Sequence, residues 1–289
     1  MARIWIYVEK EKDTVKRVSL ELLAKGRDLK QVGDCVTAIV MGCLSEPLIK
    51  TISAYGADEI INVEGTDYDE YGTDAYTHAM EILIKKGHPD LMLVGATHNG
   101  RDLCGRLSAR MDLGLAAECT DCLVDHQDDR VTFVRPAFDG KAFAKIKMKT
   151  KPQIGTIRKG IFPMGEWVEK EPATVIKEMI PLPKECGRVK LIEYIEAATK
   201  VIDNLDNADI IVSGGRGLGG PEGFKIIKDL ADALGGAVGA SKPVVDEGWI
   251  SFDHQVGVTG KKLRPKLYIA CGISGAIQHA LGMRDSDVI

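Results

Sequence analysis

Four times before residue 112 a short apolar run gives way to an amphipathic stretch. Ile4–Val8 precedes Val15–Leu29, in which Val15, Val18, Leu22 and Leu23 recur at helical spacing. Val36–Met41, ended by Gly42, precedes Leu48–Tyr55, which Gly56 stops. Glu59–Val63 precedes a helix marked by Ala75, Ala79, Ile82 and Leu83, with Gly87 and Pro89 beyond it. Leu91–Val94 precedes a polar loop, Thr97–Gly100, and a helix carrying Leu103, Leu107 and Met111. Parallel strands need a crossover between them, and a helix is the usual one. This alternation therefore predicts an α/β fold, a mostly parallel sheet with helices on both faces.

The pattern then changes. Val131–Arg135 and Ala142–Lys149 flank Asp139-Gly140, a hairpin turn signal. Ala144, Ile146 and Met148 alternate with Lys145, Lys147 and Lys149, as on a half-buried strand whose lysines face water or an acidic partner. The first domain thus carries a hairpin extension. Pro172, Pro181 and Pro183 punctuate the next stretch, and Lys184–Arg188 reads as a linker. After a helix over Leu191–Asn204 a second βαβ pattern appears: strand Asp209–Ser213, a glycine-rich turn, helix Phe224–Leu234 and strand Ala237–Ala240. A length of 289 residues suits two domains, placed at 1–185 and 186–289.

Composition excludes several classes. With 45% apolar and 28% charged residues the chain is not wholly disordered. Basic and acidic residues number 38 and 42, without the basic footprint of a nucleic-acid binder. The longest stretch free of Asp, Glu, Lys and Arg, Leu267–Met283, is short for a membrane span and is broken by Gly272, Gly275 and Gly282. The first apolar run leads straight into the charged Glu9–Asp13, unlike a signal peptide. Seven scattered cysteines fit a reducing compartment, and the reading is cytoplasmic. Cys119 and Cys122 have no second pair for zinc and read as structural, with a redox dithiol as the alternative. His98 and Asn99 stand where α/β proteins bind nucleotides but read as plain loop.

Chemistry concentrates in the second domain. In Ser213–Gly220, the residues Gly215, Gly217 and Gly220 match G-x-G-x-x-G between a strand and a helix opened by Pro221. Such glycines let backbone approach a pyrophosphate, and Arg216 adds a bidentate phosphate donor. The acidic residue that a dinucleotide site needs for its ribose is missing from Ala237–Lys242, which disfavours NAD and an NAD-dependent enzyme. A second strand, turn and helix runs through Lys266–His279, with Ser274 as a donor and Gln278 and His279 one turn into the helix. Between the two lie the polar loops Ser241–Asp246 and Gln255–Lys261. Two cradles in one domain suggest one long ligand with polar ends.

Val212–Gly217, Gly239–Asp246, Gln255–Lys261 and Leu267–Met283 together resemble the flavin domain of the electron transfer flavoprotein alpha subunit. Leu267–His279 is close to that family's signature, and the N-terminal β/α pattern, Arg135–Phe138 and Pro152-Gln153 also fit. The resemblance implies a Rossmann-like domain holding one FAD, and a heterodimer with a beta subunit that holds AMP or a second FAD. It implies an electron carrier, not an enzyme on its own, that shuttles electrons between flavin dehydrogenases such as acyl-CoA dehydrogenases and an acceptor. The alternative within the family is a bifurcating, NADH-oxidising complex. Carried over by motif, the cofactor contacts are Arg216, Gly217, Ser241, Lys242, Gln255, Val256, Gly257, Val258, Thr259, Gly272, Ser274, Gly275, Ala276, Ile277, Gln278 and His279. Family roles place Thr259 near flavin N5 and His279, as a positive group, near the pyrimidine carbonyl O2.

Three departures from the family pattern stand out. Lys242 takes the place of the usual Arg and lacks its planar fork of donors. Val258 replaces a frequent Gln. Relatives continue, beyond the position of Ile289, with a strand–helix segment whose Asn and Asp bind the AMP half of FAD. Against the family pattern, either the sequence is a fragment of a longer chain or FAD is held less completely at that half.

Overall fold

A computed structural model of the chain describes residues 2–125, 130–138, 141–187, 189, 192, 205 and 208–289. Two compact units emerge, Met1–Glu193 and Tyr194–Ile289.

The first unit begins with β1 (Arg3–Tyr7), a two-stranded ribbon β2 (Lys10–Glu11) and β3 (Thr14–Val15), and α1 (Arg17–Leu29). There follow β4 (Cys35–Met41), α2 (Glu46–Tyr55), β5 (Glu59–Glu64), α3 (Thr73–Gly87), β6 (Leu91–Gly95) and α4 (His98–Met111). Then come β7 (Leu115–Cys119), β8 (Asp121–Asp125), β9 (Arg130–Ala137), β10 (Ala142–Lys147), β11 (Gln153–Ile157) and β12 (Thr174–Met179). Seven strands form one parallel sheet in the order β12-β5-β4-β1-β6-β11-β7. The expected parallel α/β sheet is present.

Side chains of β1 show how both faces are covered. Ile4, Ile6 and Val8 join Leu22 and Leu23 of α1 and Leu48 and Ile52 of α2 in one core. Trp5 and Tyr7 point the other way, to Ala79, Met80 and Leu83 of α3 and to Leu103 and Leu107 of α4. A strand buried on both sides must be apolar at every position, which is why Ile4–Val8 shows no alternation.

The hairpin extension is an antiparallel sheet, β10-β9-β8. Along β10 the partly buried Ala144 and Ile146 alternate with the exposed Lys145 and Lys147, as the spacing predicts. The Asp139-Gly140 turn lies outside the described residues. Phe133 is fully buried at Gly155, where even a methyl group would collide with the ring. Removing that ring would cost about 3–5 kcal/mol.

One expectation fails here. Thr97–Gly100 is not a loop: α4 starts at His98, and the Thr97 hydroxyl accepts from the Gly100 N–H at 2.9 Å. The threonine is an N-cap, a signal that polarity alone conceals. The linker stretch Lys184–Gly187 forms a single 3-10 turn, and the helix expected over Leu191–Asn204 falls almost entirely outside the described residues.

The second unit holds β13 (Ile210–Gly214), α5 (Phe224–Leu234), β14 (Ala237–Ala240), the short α6 (Lys242–Asp246), β15 (Leu267–Cys271) and the one-turn α7 (Ile277–Ala280). Its parallel sheet runs β14-β13-β15. Ile227 and Ala231 of α5 pack on Val212 and Val238 on one face. Ile211, Val256, Tyr268 and Met283 fill the other.

Candidate cofactor-binding site

All three strands of the second unit end at the same edge, and parallel sheets bind ligands outside the carboxyl ends of their strands. Here the glycine spacing has a use the sequence did not reveal. Gly215 N–H donates to the Cys271 carbonyl and Gly217 N–H to the Gly272 carbonyl, each at 2.9 Å. A Cβ on Gly217 would lie 2.7 Å from Gly272 Cα. A Cβ on Gly272, whose φ is +64°, would lie 2.8 Å from the Gly217 carbonyl carbon. The glycines thus let two loops lie against each other.

Two 3-10 turns, Arg216–Leu218 and Pro221–Gly223, separate this suture from the start of α5, so the helix N-terminus is not the cradle the motif predicts. α7 is likewise a single turn, with Gln278 and His279 as its second and third residues.

The joined loops and their neighbours wall a cavity of about 660 Å³, within the ~300–1,000 Å³ usual for ligand pockets. Arg216 and Gly217 line it from the first loop, and Ser241 and Lys242 from the end of β14. Val256, Gly257, Val258 and Thr259 form a third wall, and Gly272, Ser274, Ala276, Gln278 and His279 a fourth. The third wall is tied to the fourth where Val258 N–H donates to the Gln278 carbonyl at 2.9 Å.

Three residues from the sequence set do not line the cavity. Gln255 is buried behind it and donates to the Thr259 hydroxyl at 3.0 Å, orienting that side chain. Gly275, with φ +73°, makes the turn, and Ile277 is exposed. Three lining residues lie in the loops singled out by the sequence but outside the set of cofactor contacts: Pro243, Asp246 and Ile273. Asp246 had a legible signal, its spacing of four from Lys242.

Charge is balanced at the wall. Lys242 Nζ donates to both carboxylate oxygens of Asp246, at 2.8 and 2.9 Å. Arg216 stands 3.8 Å from Glu247. All four side chains are 42–68% exposed, and such pairs contribute only about 0–1 kcal/mol.

His279 is buried, with Nε2 2.9 Å from the Tyr268 hydroxyl. Its Nδ1 has no partner of hydrogen-bond geometry. Burial lowers the His279 pKa, and the backbone of Val256 pulls weakly the other way. In the chain alone the ring is therefore neutral at pH 7, not the positive group expected from the family role.

The Cys119 and Cys122 thiols are buried, and burial pushes both up to about 12, which makes them unreactive. Among the described residues no group of His, Cys, Asp and Glu could hold a metal ion, and no helix is long and apolar enough to cross a membrane.

Residues 4–182 match the family described as electron transfer flavoprotein domain, and residues 204–284 match the electron transfer flavoprotein FAD-binding domain. The chain is 44% identical to the electron transfer flavoprotein subunit alpha of Thermoanaerobacterium thermosaccharolyticum, over 99% of this chain and 87% of that protein. It is 41% identical to the FixB protein of Clostridium saccharobutylicum, over 99% and 85%. Against the FixB protein of Rhizobium meliloti the identity is 37%, over 99% and 82%. Two domain matches in the order of the two units, and relatives aligned along nearly the whole chain, make this protein a member of the electron transfer flavoprotein alpha-subunit family.

Proposed function

We propose that this chain holds one FAD in the second-unit cavity and carries electrons between flavin dehydrogenases, such as acyl-CoA dehydrogenases, and an acceptor. It would do so as the alpha subunit of a heterodimer, with residues 1–185 contacting the beta subunit and 186–289 carrying the cofactor. A reducing, cytoplasmic setting goes with this reading. The observation that carries it is the buried, unpartnered Nδ1 of His279 on a ligand-sized cavity. A buried polar atom without a partner is costly, and a flavin carbonyl would supply one.

Other features support the same occupant. Arg216 and Lys242 are cations held only by weak, exposed pairs, and either can turn to a pyrophosphate or to a reduced ring. Thr259, oriented by Gln255, and Ser274 offer hydroxyls. FAD, when bound, supplies the one-electron chemistry, and the residues of the chain bind and orient it. Val258 brings no side-chain hydrogen bond to the wall.

The test is the visible spectrum of the chain co-purified with its beta partner, with extracted flavin counted per heterodimer. One FAD bound to this chain is expected, beside AMP in beta. A second flavin in the complex would move the reading to electron bifurcation. No flavin, even after FAD is added, would overturn it.

A further inference from the structure

The cavity that suits an anionic ligand carries its own competitor. Two cations line it, Arg216 and Lys242, and the end of α6 sets a carboxylate beside each: Glu247 beside Arg216 and Asp246 beside Lys242. The Lys242–Asp246 pair is the tighter, with both carboxylate oxygens in reach of Nζ. Both partners line the cavity.

Support of the helix does not explain the pair. Along a helix an acid four residues before a base is the favourable order, because each charge then opposes the helix dipole. Here the base comes first and the acid last, the less favourable order. α6 is only five residues long, so it has little to gain from a surface pair in any case. What the arrangement does achieve is electrostatic. Asp246 on the wall and Glu247 beside it offset the two lining cations, although a cofactor with a pyrophosphate would be drawn by the cations alone.

We propose that Asp246 is a counter-ion for Lys242 that an anionic ligand must displace, so that Asp246 sets how much positive charge the cavity offers. The inference rests on the cofactor reading only for the identity of that ligand as FAD. Without ligand, Lys242 is held against Asp246. When the anionic part of the ligand enters, Nζ exchanges one carboxylate for another acceptor, and Asp246 turns to water. Asp246 is thus a positioning residue, acting through Lys242 on affinity and on the preference of the site for reduced, negatively charged ligand.

The sign of one substitution separates this from a structural role. Asp246→Asn keeps the shape and removes the charge. If Asp246 only supported the fold, its loss would weaken binding; if it competes for Lys242, its loss strengthens binding. The expected result, by fluorescence titration with FAD at low salt, is about two- to fivefold tighter binding, with the FAD midpoint potential shifted upward. The gain should vanish at high salt and in a Lys242→Gln background, and Asp246→Glu should behave as the parent. Unchanged or weaker binding by Asp246→Asn, or an equal gain without Lys242, would overturn the proposal.

Inorganic pyrophosphate serves as the second probe, read by thermal shift. If the protein takes no FAD, the cofactor reading fails by itself. Pyrophosphate must then still stabilise Asp246→Asn more than the parent. If it stabilises neither, or both equally, the counter-ion role is wrong.

Discussion

The two units set parallel strands side by side in the same way and use the ends of those strands in opposite ways. In the first unit the sheet order changes direction at β1, between β4 and β6, which is where an open α/β sheet leaves a crevice. At that edge a buried carboxylate ties the neighbouring elements together. Glu9, buried just past β1, accepts from the Thr97 hydroxyl at 2.6 Å, its backbone N–H donates to the Ser19 hydroxyl at 2.9 Å, and Lys16 reaches its other oxygen at 3.4 Å. In the second unit the strands end in glycine loops sewn to each other, and the space beside them stays open. The fold thus offers a place for a ligand twice, and side chains decide which place is used. A carboxylate bound at the cap of α4 stands where an anion would otherwise bind.

Breaking the second unit's loops should have the largest effect. Gly272→Val forces a β-branched residue into φ +64° with its Cβ against Gly217 backbone, and should cost the unit about 2–4 kcal/mol. Denaturant unfolding should show this loss in the second unit while the first keeps its transition, and no flavin should remain bound. Arg216→Ala comes next. It leaves the fold intact and should lose most of the FAD, as read by flavin absorbance after gel filtration, because a phosphate or ring cation is gone. Wild-type retention would remove Arg216 from the site.

The comparison is sharpened from the other side by Glu9→Ala. It removes the acceptor of the buried Thr97 hydroxyl and leaves the backbone bonds to Ser19 in place, and should cost about 1–3 kcal/mol by chemical denaturation. It should leave FAD retention unchanged; lost FAD would tie this crevice to the cofactor after all.

The smallest effect is a pH dependence. Burial lowers the His279 pKa below its ordinary 6.5. The neutral ring therefore contributes stability that is fully present above pH 6.5 and lost as pH falls through the folded-state value. Tyr268, its partner, is held well above its usual pKa by burial and stays protonated across this range. His279→Gln should flatten the stability profile of the second unit below pH 6.5. A profile with the same slope in both proteins would place the titration elsewhere.

Legibility in the sequence followed the range of the physics. Helix Phe224–Leu234 and strand Ala237–Ala240 are readable to the residue, because Gly223 and Gly235 bound the helix, Gly236 precedes the strand, and their apolar periods differ. The alternation on β10 was equally plain, since one face meets a core and the other meets water. His98 was misplaced because the cap that starts α4 is one hydroxyl bonded to one N–H, a detail that a polar stretch hides. The glycine spacing was visible at Gly215 and Gly217, but it was assigned to a pyrophosphate and a helix end. Its partner in the fold is Gly272.

By itself, the sequence determined the first four strands of the first sheet and their alternation with helices, that this sheet is mostly parallel and covered on both faces, and which loops carry the polar and glycine residues of the site. All of that comes from periodicity and punctuation over a few residues. Strands Leu115–Cys119, Gln153–Ile157 and Thr174–Met179 emerged only in the structure. Only the tertiary structure decided that Gly217 touches Gly272, that Asp246 belongs to the wall and Gln255 stands behind it, and that His279 is buried and neutral. The reason is registry. Ile210 pairs with Leu267 and Ile211 with Ala237, and those pairings set loops from distant parts of the chain beside one another. Burial, a neighbouring carboxylate and an empty hydrogen bond exist only once the strands are aligned.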